Sequence, residues 1–181
     1  MGFDMNGAIF FATSYGSTAQ YAGWISDATG LPVFDVDNTD ADPADYDFLV
    51  LGSAVIYYKL IIRKWVNRNL ACIESRPVVL FTVSGAGAGQ KLDGWIADCL
   101  PQTLIERMKH VALRGRQNPK DLRLYDRLML IIGGLKNRDR VAGKEEMQGF
   151  DYMDKSSIAP VVSLVRALQS ADAARPAKAA R

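Results

Sequence analysis

Thiol and imidazole groups are scarce in this chain, which has two cysteines, Cys72 and Cys99, and one histidine, His110, in 181 residues. Neither cysteine sits in a C-x-x-C pair or at metal-ligand spacing, and His110 has no cysteine or second histidine nearby. A metal centre is therefore not expected, and the cysteines read as reduced packing residues. Long apolar runs are missing too: no stretch of about 18 uncharged apolar residues is available for a membrane span. The opening MGFDMNG has neither the basic flank nor the apolar centre of a signal peptide, and a cytoplasmic protein is expected.

What the chain does have is an apolar fraction of 49%, enough for one packed core at this length. Residues 1–170 read as a single domain. Residues 171–181 are small, charged and without apolar periodicity, and are expected to be disordered. The net charge of +2 conceals an asymmetry. Residues 106–144 carry eleven Lys or Arg against four Asp or Glu, a local +7 that leaves −5 for the remainder. Clustering of this kind marks a partner-facing surface. Because the segment lacks interleaved aromatics and any recognition motif, nucleic acid is not the expected partner. An anionic small molecule or membrane surface fits better.

Apolar runs and helical periodicities alternate along the sequence. Strands are expected at residues 8–13, 31–36, 47–53, 78–84 and 109–114. Helices are expected at 18–29 (closed by Gly30), 60–71 (Ile61, Trp65 and Val66 inward), 92–104 and 156–169 (capped by Ser156). Five such units predict an α/β fold with a doubly wound parallel sheet, whose ligands sit beyond the C-terminal strand ends at a topological switch point. An insert of about 115–150 separates the fifth strand from the last helix. Within it, Leu124, Leu128, Ile131 and Ile132 share one helical side before Gly133 and Gly134.

The turn after the first strand, TSYGST, is the strongest functional signal. Thr13, Ser14, Ser17 and Thr18 offer hydroxyls, the loop and helix start offer main-chain N–H groups, and Gly16 lets the backbone bend close to a ligand. It contains no lysine, whereas a triphosphate-binding loop needs G-x-x-x-x-G-K-[ST], so a monophosphate is expected. After the third strand, Ser53, Ala54, Val55, Ile56, Tyr57 and Tyr58 form a second candidate loop, in which either tyrosine could cover a flat ring. Ser84, Gly85, Ala86, Gly87 and Gly89 form a third, whose small residues permit close backbone approach. A dinucleotide fingerprint starting at Gly85 fails, because Gln90 stands where the third glycine belongs. A response-regulator reading fails as well, since Thr13 and Ser53 occupy the positions where that class needs acidic residues.

The succession of TSYGST, GSAVIYY and SGAGAG over five strand-helix units resembles the flavodoxin-like fold, a three-layer α/β architecture with strand order 2-1-3-4-5. The segments GSAVIYYKL and YDRLMLII are most similar to the flavodoxin-type, menaquinone-dependent protoporphyrinogen oxidases. The resemblance spans about residues 8–168. It implies flavin mononucleotide (FMN) as cofactor, bound by Thr13, Ser14, Tyr15, Gly16, Ser17 and Thr18 and by the second and third loops. It further implies an oxidoreductase whose partners are an anionic substrate such as a tetrapyrrole and a quinone. Arg114, Arg116, Arg123 and Arg127 are candidates to hold propionates or to rest against anionic lipid at the inner membrane. A homo-oligomer is compatible with all of this. The alternatives are an electron carrier working between protein partners and a flavin-free binding module. Unlike the usual acidic carriers, the chain is slightly basic, and its third loop lacks the aromatic and acidic residues typical of them. No catalytic acid or base stands out, so the chemistry is expected to belong to the cofactor.

Overall fold

The computed structural model describes residues 5–118, 120–123, 126 and 149–170. Its strands are β1 (Gly7–Ala12), β2 (Val33–Asp35), β3 (Phe48–Ile56), β4 (Lys59–Leu60), β5 (Val78–Ser84), β6 (Lys109–Arg114), β7 (Arg116–Gln117) and β8 (Phe150–Asp151). Its α-helices are α1 (Ser17–Thr29), α2 (Arg63–Arg68), α3 (Leu70–Glu74), α4 (Gln90–Ala97), α5 (Gln102–Arg107) and α6 (Ala159–Ser170).

Every residue of β1 and of β5 is buried, which requires cover on both sheet faces. Ala8, Phe10 and Ala12 point to one side with Leu49, Leu51 and Leu80, where Trp65, Val66, Ile73, Leu92, Ile96 and Leu104 from α2 to α5 close over them. Ile9 and Phe11 point the other way with Val50, Val79 and Phe81, against Tyr21 and Ile25 of α1 and Val161, Val162 and Val165 of α6. The result is three layers. Five parallel strands run in the order β2-β1-β3-β5-β6, with β4 paired antiparallel to the end of β3. This is the predicted order 2-1-3-4-5 once the two-residue β4 is counted.

Close packing within the sheet constrains single positions. Gly52 of β3 pairs with Phe81 of β5, and the Phe81 ring covers the place of a side chain: a Cβ on Gly52 would lie 2.3 Å from Cζ. The lone histidine is structural in its contacts. His110 Nε2 lies 2.9 Å from Thr82 Oγ1, and burial pushes the imidazole pKa down while Asp93 pulls it back up.

Local chemistry moved several predicted boundaries. The helix expected over 60–71 is broken in two at Asn69, whose φ of −106° leaves the helical range and whose Nδ2 donates to the Trp65 carbonyl at 2.9 Å. A short amide side chain competes with the helical backbone in this way. The helix expected over 92–104 is split as well, with α4 ending at Ala97 and α5 starting after Pro101, which has no N–H to continue a helix. Before α6, the cap is Asp154 rather than Ser156: its carboxylate accepts the Ser156 N–H at 2.8 Å and the Ser156 hydroxyl at 2.6 Å. The helical pattern of Leu124, Leu128, Ile131 and Ile132, with Gly133, Gly134 and residues 171–181, lies outside the described residues. Both ends of the insert are tied together by the antiparallel pair β7-β8, in the register Arg116 with Asp151 and Gln117 with Phe150.

Replacing Gly52 with alanine should destabilise the fold by about 1–3 kcal/mol through overpacking, and adding Phe81→Leu should recover part of the loss. Denaturant unfolding of the two variants measures both effects.

Candidate functional site

Parallel pairing makes all five main strands end at one edge. Ala12 stands opposite Ser53, and Ala54 opposite Val83, so the turn after β1, the connection after β3 and the loop after β5 emerge side by side. β2 lies on one side of β1 and β3 on the other, which makes the β1/β3 edge the topological switch point of the sheet.

The turn after β1 is built to present backbone donors. Thr13 Oγ1 accepts the Gly16 N–H at 3.1 Å, which curls the chain, and Gly16 caps α1 at φ 84° with no atom within 4 Å of where a Cβ would be. The 13-residue α1 begins with no side-chain cap and no acidic residue in its first turn, so its own first turn does not neutralise the positive end of its dipole. Ser14 and Gly16 are exposed, Thr13 and Tyr15 half-buried, and Ser17 and Thr18 buried. Ser17 is engaged by the chain itself. Its hydroxyl donates to the Arg116 carbonyl at 3.4 Å and accepts the Arg116 N–H at 3.3 Å. Thr18 Oγ1 is the one buried side-chain polar atom without a hydrogen-bond partner among the described residues. An orphaned hydroxyl is costly, and this one lies one residue inside the uncapped helix start.

The second connection differs from the loop expected. Ser53, Ala54, Val55 and Ile56 continue β3, and only Tyr57 and Tyr58 turn, closing a two-residue hairpin onto Lys59 and Leu60. Their φ values are 49° and 64°, the left-handed geometry of a type I′ turn. Such a conformation costs a non-glycine residue roughly 1–2 kcal/mol. Both tyrosines remain exposed, at 47% and 68%, and the Tyr58 ring lies 5.1 Å from that of Trp95 on α4. Ser53 is sealed: its hydroxyl donates to the Ala54 carbonyl and accepts the Ile62 N–H, fixing the hairpin rather than facing a ligand.

In the third loop, Gly87 and Gly89 are exposed with open space above them, and Gly89 starts α4. Ser84 is buried and donates to the Ala86 carbonyl at 2.8 Å. Gly85 does admit a flat ring, but the ring is the chain's own: a Cβ there would lie 2.7 Å from Phe150 Cζ. Phe150 stacks on Tyr152 at 5.0 Å, and the Arg114 guanidinium sits 3.5 Å above the Tyr152 ring while Nη2 donates to the Gly85 carbonyl at 3.1 Å. Arg116 lies 4.0 Å from Asp151. Two of the arginines proposed for an external anion are thus engaged within the chain.

Asp126 is the site residue that sequence reasoning missed. The hydroxyl of Tyr15, from the first turn, donates to its Oδ2, and the hydroxyl of Tyr57, from the hairpin, donates to its Oδ1. These two hydrogen bonds hold the Asp126 carboxyl below the usual carboxylate range, assisted by the charge of Arg123. Burial, followed by the bond to Asp126, raises the Tyr15 phenol. Asp126 lies within YDRLMLII, a segment notable in sequence for its apolar side, and nothing in that pattern marks its acid. Phe150 and Tyr152 were equally silent, since they reach the third loop from beyond the insert. Arg127 lies outside the described residues.

Among the described residues no group of three or more His, Cys, Asp or Glu is placed to hold a metal, and no helix is long and apolar enough to cross a membrane. The model of one protein family, described as a flavodoxin domain, matches residues 8–132. No curated protein matches the chain. Solved structures with a similar chain course include a flavodoxin from the domain Archaea, at 16% identity and a TM-score of 0.44 over 68% of this chain and 93% of that one. Oxidised flavodoxin 1 from Bacillus cereus is 20% identical with a TM-score of 0.43, covering 68% and 90%. A flavoprotein in complex with FMN from Lactobacillus acidophilus NCFM is 14% identical with a TM-score of 0.42, covering 61% and 92%.

The Asp126 clasp carries a pH signature. A carboxyl whose folded pKa is depressed stabilises the fold above its unfolded pKa and loses that contribution as pH falls through the folded value. The stability gap between the natural protein and Asp126→Asn should therefore be full at neutral pH and close on the acid side of the carboxylate range. Urea titrations at several pH values test this, and a constant gap would contradict the clasp.

Proposed function

The chain belongs to the flavodoxin domain family, and from that membership we propose that it binds FMN at the β1/β3 switch point and acts as an FMN-dependent oxidoreductase. The observation carrying this reading is the start of α1, an uncapped helix end without acids, a glycine hinge and a buried, unpartnered Thr18 hydroxyl. These are the donors that a phosphate monoester needs, and they come without the lysine of a triphosphate loop. Thr13, Ser14 and the main-chain N–H groups of residues 15–18 would hold the phosphate, with Thr18 as an internal donor. Tyr57 and Tyr58, held in a strained turn beside them, would border the ring, together with the open backbone around Gly87 and Gly89. Once bound, the cofactor supplies the hydride and single-electron chemistry.

The resemblance of GSAVIYYKL and YDRLMLII to the menaquinone-dependent protoporphyrinogen oxidases supports an oxidase that handles an anionic substrate and passes electrons to a quinone. The basic character of residues 106–144 supports the same reading. Anaerobic addition of protoporphyrinogen to the FMN-loaded protein should bleach the flavin absorbance, and a quinone should restore it. A flavin that stays oxidised under those conditions, yet is reduced by a flavodoxin reductase, would make the protein an electron carrier.

The phosphate site has its own test in Thr18→Val. Removing an unsatisfied buried hydroxyl should raise the stability of the cofactor-free protein. It should also weaken FMN binding by about tenfold or more, the worth of a hydrogen bond to a charged group. Thermal unfolding without FMN and titration with it measure the two effects separately.

A further inference from the structure

The two phenols that meet at Asp126 come from different crossovers of the sheet. Tyr15 belongs to the turn after β1 and Tyr57 to the hairpin after β3, and each donates to a different oxygen of one carboxylate. Two donors spaced to take both oxygens of the same group form a fork for a carboxylate, the arrangement that gives such recognition its directionality. Tyr57 is exposed, and Tyr15 and Asp126 are half-buried. Beside them, the exposed Tyr58 ring lies against Trp95, an aromatic surface on which the apolar body of a ligand would rest. Tyr57 is held at a left-handed φ, a strain of the kind that structures retain at functional positions.

We infer that Tyr15 and Tyr57 form a recognition site for the carboxylate of an aromatic substrate, and that Asp126 fills this site from within the chain when no such substrate is bound. Asp126 is then a competitor held at high local concentration, and it lowers the apparent affinity for any external carboxylate. Assigning this ligand as the redox substrate rests on the FMN reading above. The binding itself does not.

The test uses the FMN-loaded protein, with naphthoate as the probe and naphthamide as its uncharged counterpart, followed by isothermal titration and by quenching of tryptophan emission. Naphthoate should bind and naphthamide should not. Asp126→Ala, which removes the internal competitor, should tighten naphthoate binding by about tenfold, and Asp126→Asn should fall between the two. Adding Tyr57→Phe or Tyr15→Phe to Asp126→Ala should abolish the gain. Circular dichroism of every variant establishes that it is folded. Unchanged or weaker naphthoate binding in both Asp126 variants makes Asp126 a simple tether and overturns the inference. So do equal binding of naphthamide, no naphthoate binding at all, and displacement of FMN by naphthoate. A protein that takes up no FMN but binds naphthoate in this Asp126-dependent way would instead overturn the redox reading and leave the carboxylate site standing.

Discussion

The parallel register of β1 against β3 is the constraint on which the site depends. Ala12 opposite Ser53 makes both strands end together. Because the chain leaves β1 toward β2 on one side and leaves β3 toward β5 on the other, the two connections part at their common edge. That shared edge is the topological switch point of the sheet. Two-sided burial of β1 and β5 anchors the strands from which the turn and the hairpin emerge.

On this frame the chain returns twice to the same edge. Arg116 brings its backbone over Ser17, and Tyr21 donates to the Arg114 carbonyl at 2.8 Å while accepting the Asp154 N–H at 3.2 Å. The strand pair β7-β8 thereby anchors both ends of the insert beside α1. Phe150 and Tyr152 pack over Gly85, with Arg114 across the outer ring. An aromatic ring is thus brought to the third loop from a segment distant in sequence. Asp126 adds a further link, joining the turn after β1 to the hairpin after β3 through two phenols.

The strands were legible because their burial writes itself into composition: VVLF and AIFFA leave no polar position for solvent. TSYGST was legible as a turn because hydroxyls and a glycine follow a buried strand, and Gly16 does stand at φ 84°. The hairpin at Tyr57 and Tyr58 was not. Type I′ turns announce themselves through Asn-Gly or Asp-Gly, and two tyrosines in that geometry carry no such signal. The breaks at Asn69 and Pro101 were present as letters, but the apolar spacing continued through them and outweighed them. Thr18 and Ser17 looked equivalent as hydroxyls; only packing made one a partner of Arg116 and left the other alone.

By itself, the sequence determined the layered α/β fold, because hydrophobic periodicity and chain connectivity are local properties that leave few topologies open, while the order of the strands came from the family resemblance its motifs carry. Tertiary structure alone decided which groups face one another at the sheet edge. Tyr15, Tyr57 and Asp126 are far apart in the chain, as are Gly85 and Phe150, and their meeting depends on where each crossover lands. A carboxylate's partners are set by distance in space, for which residue order carries no record.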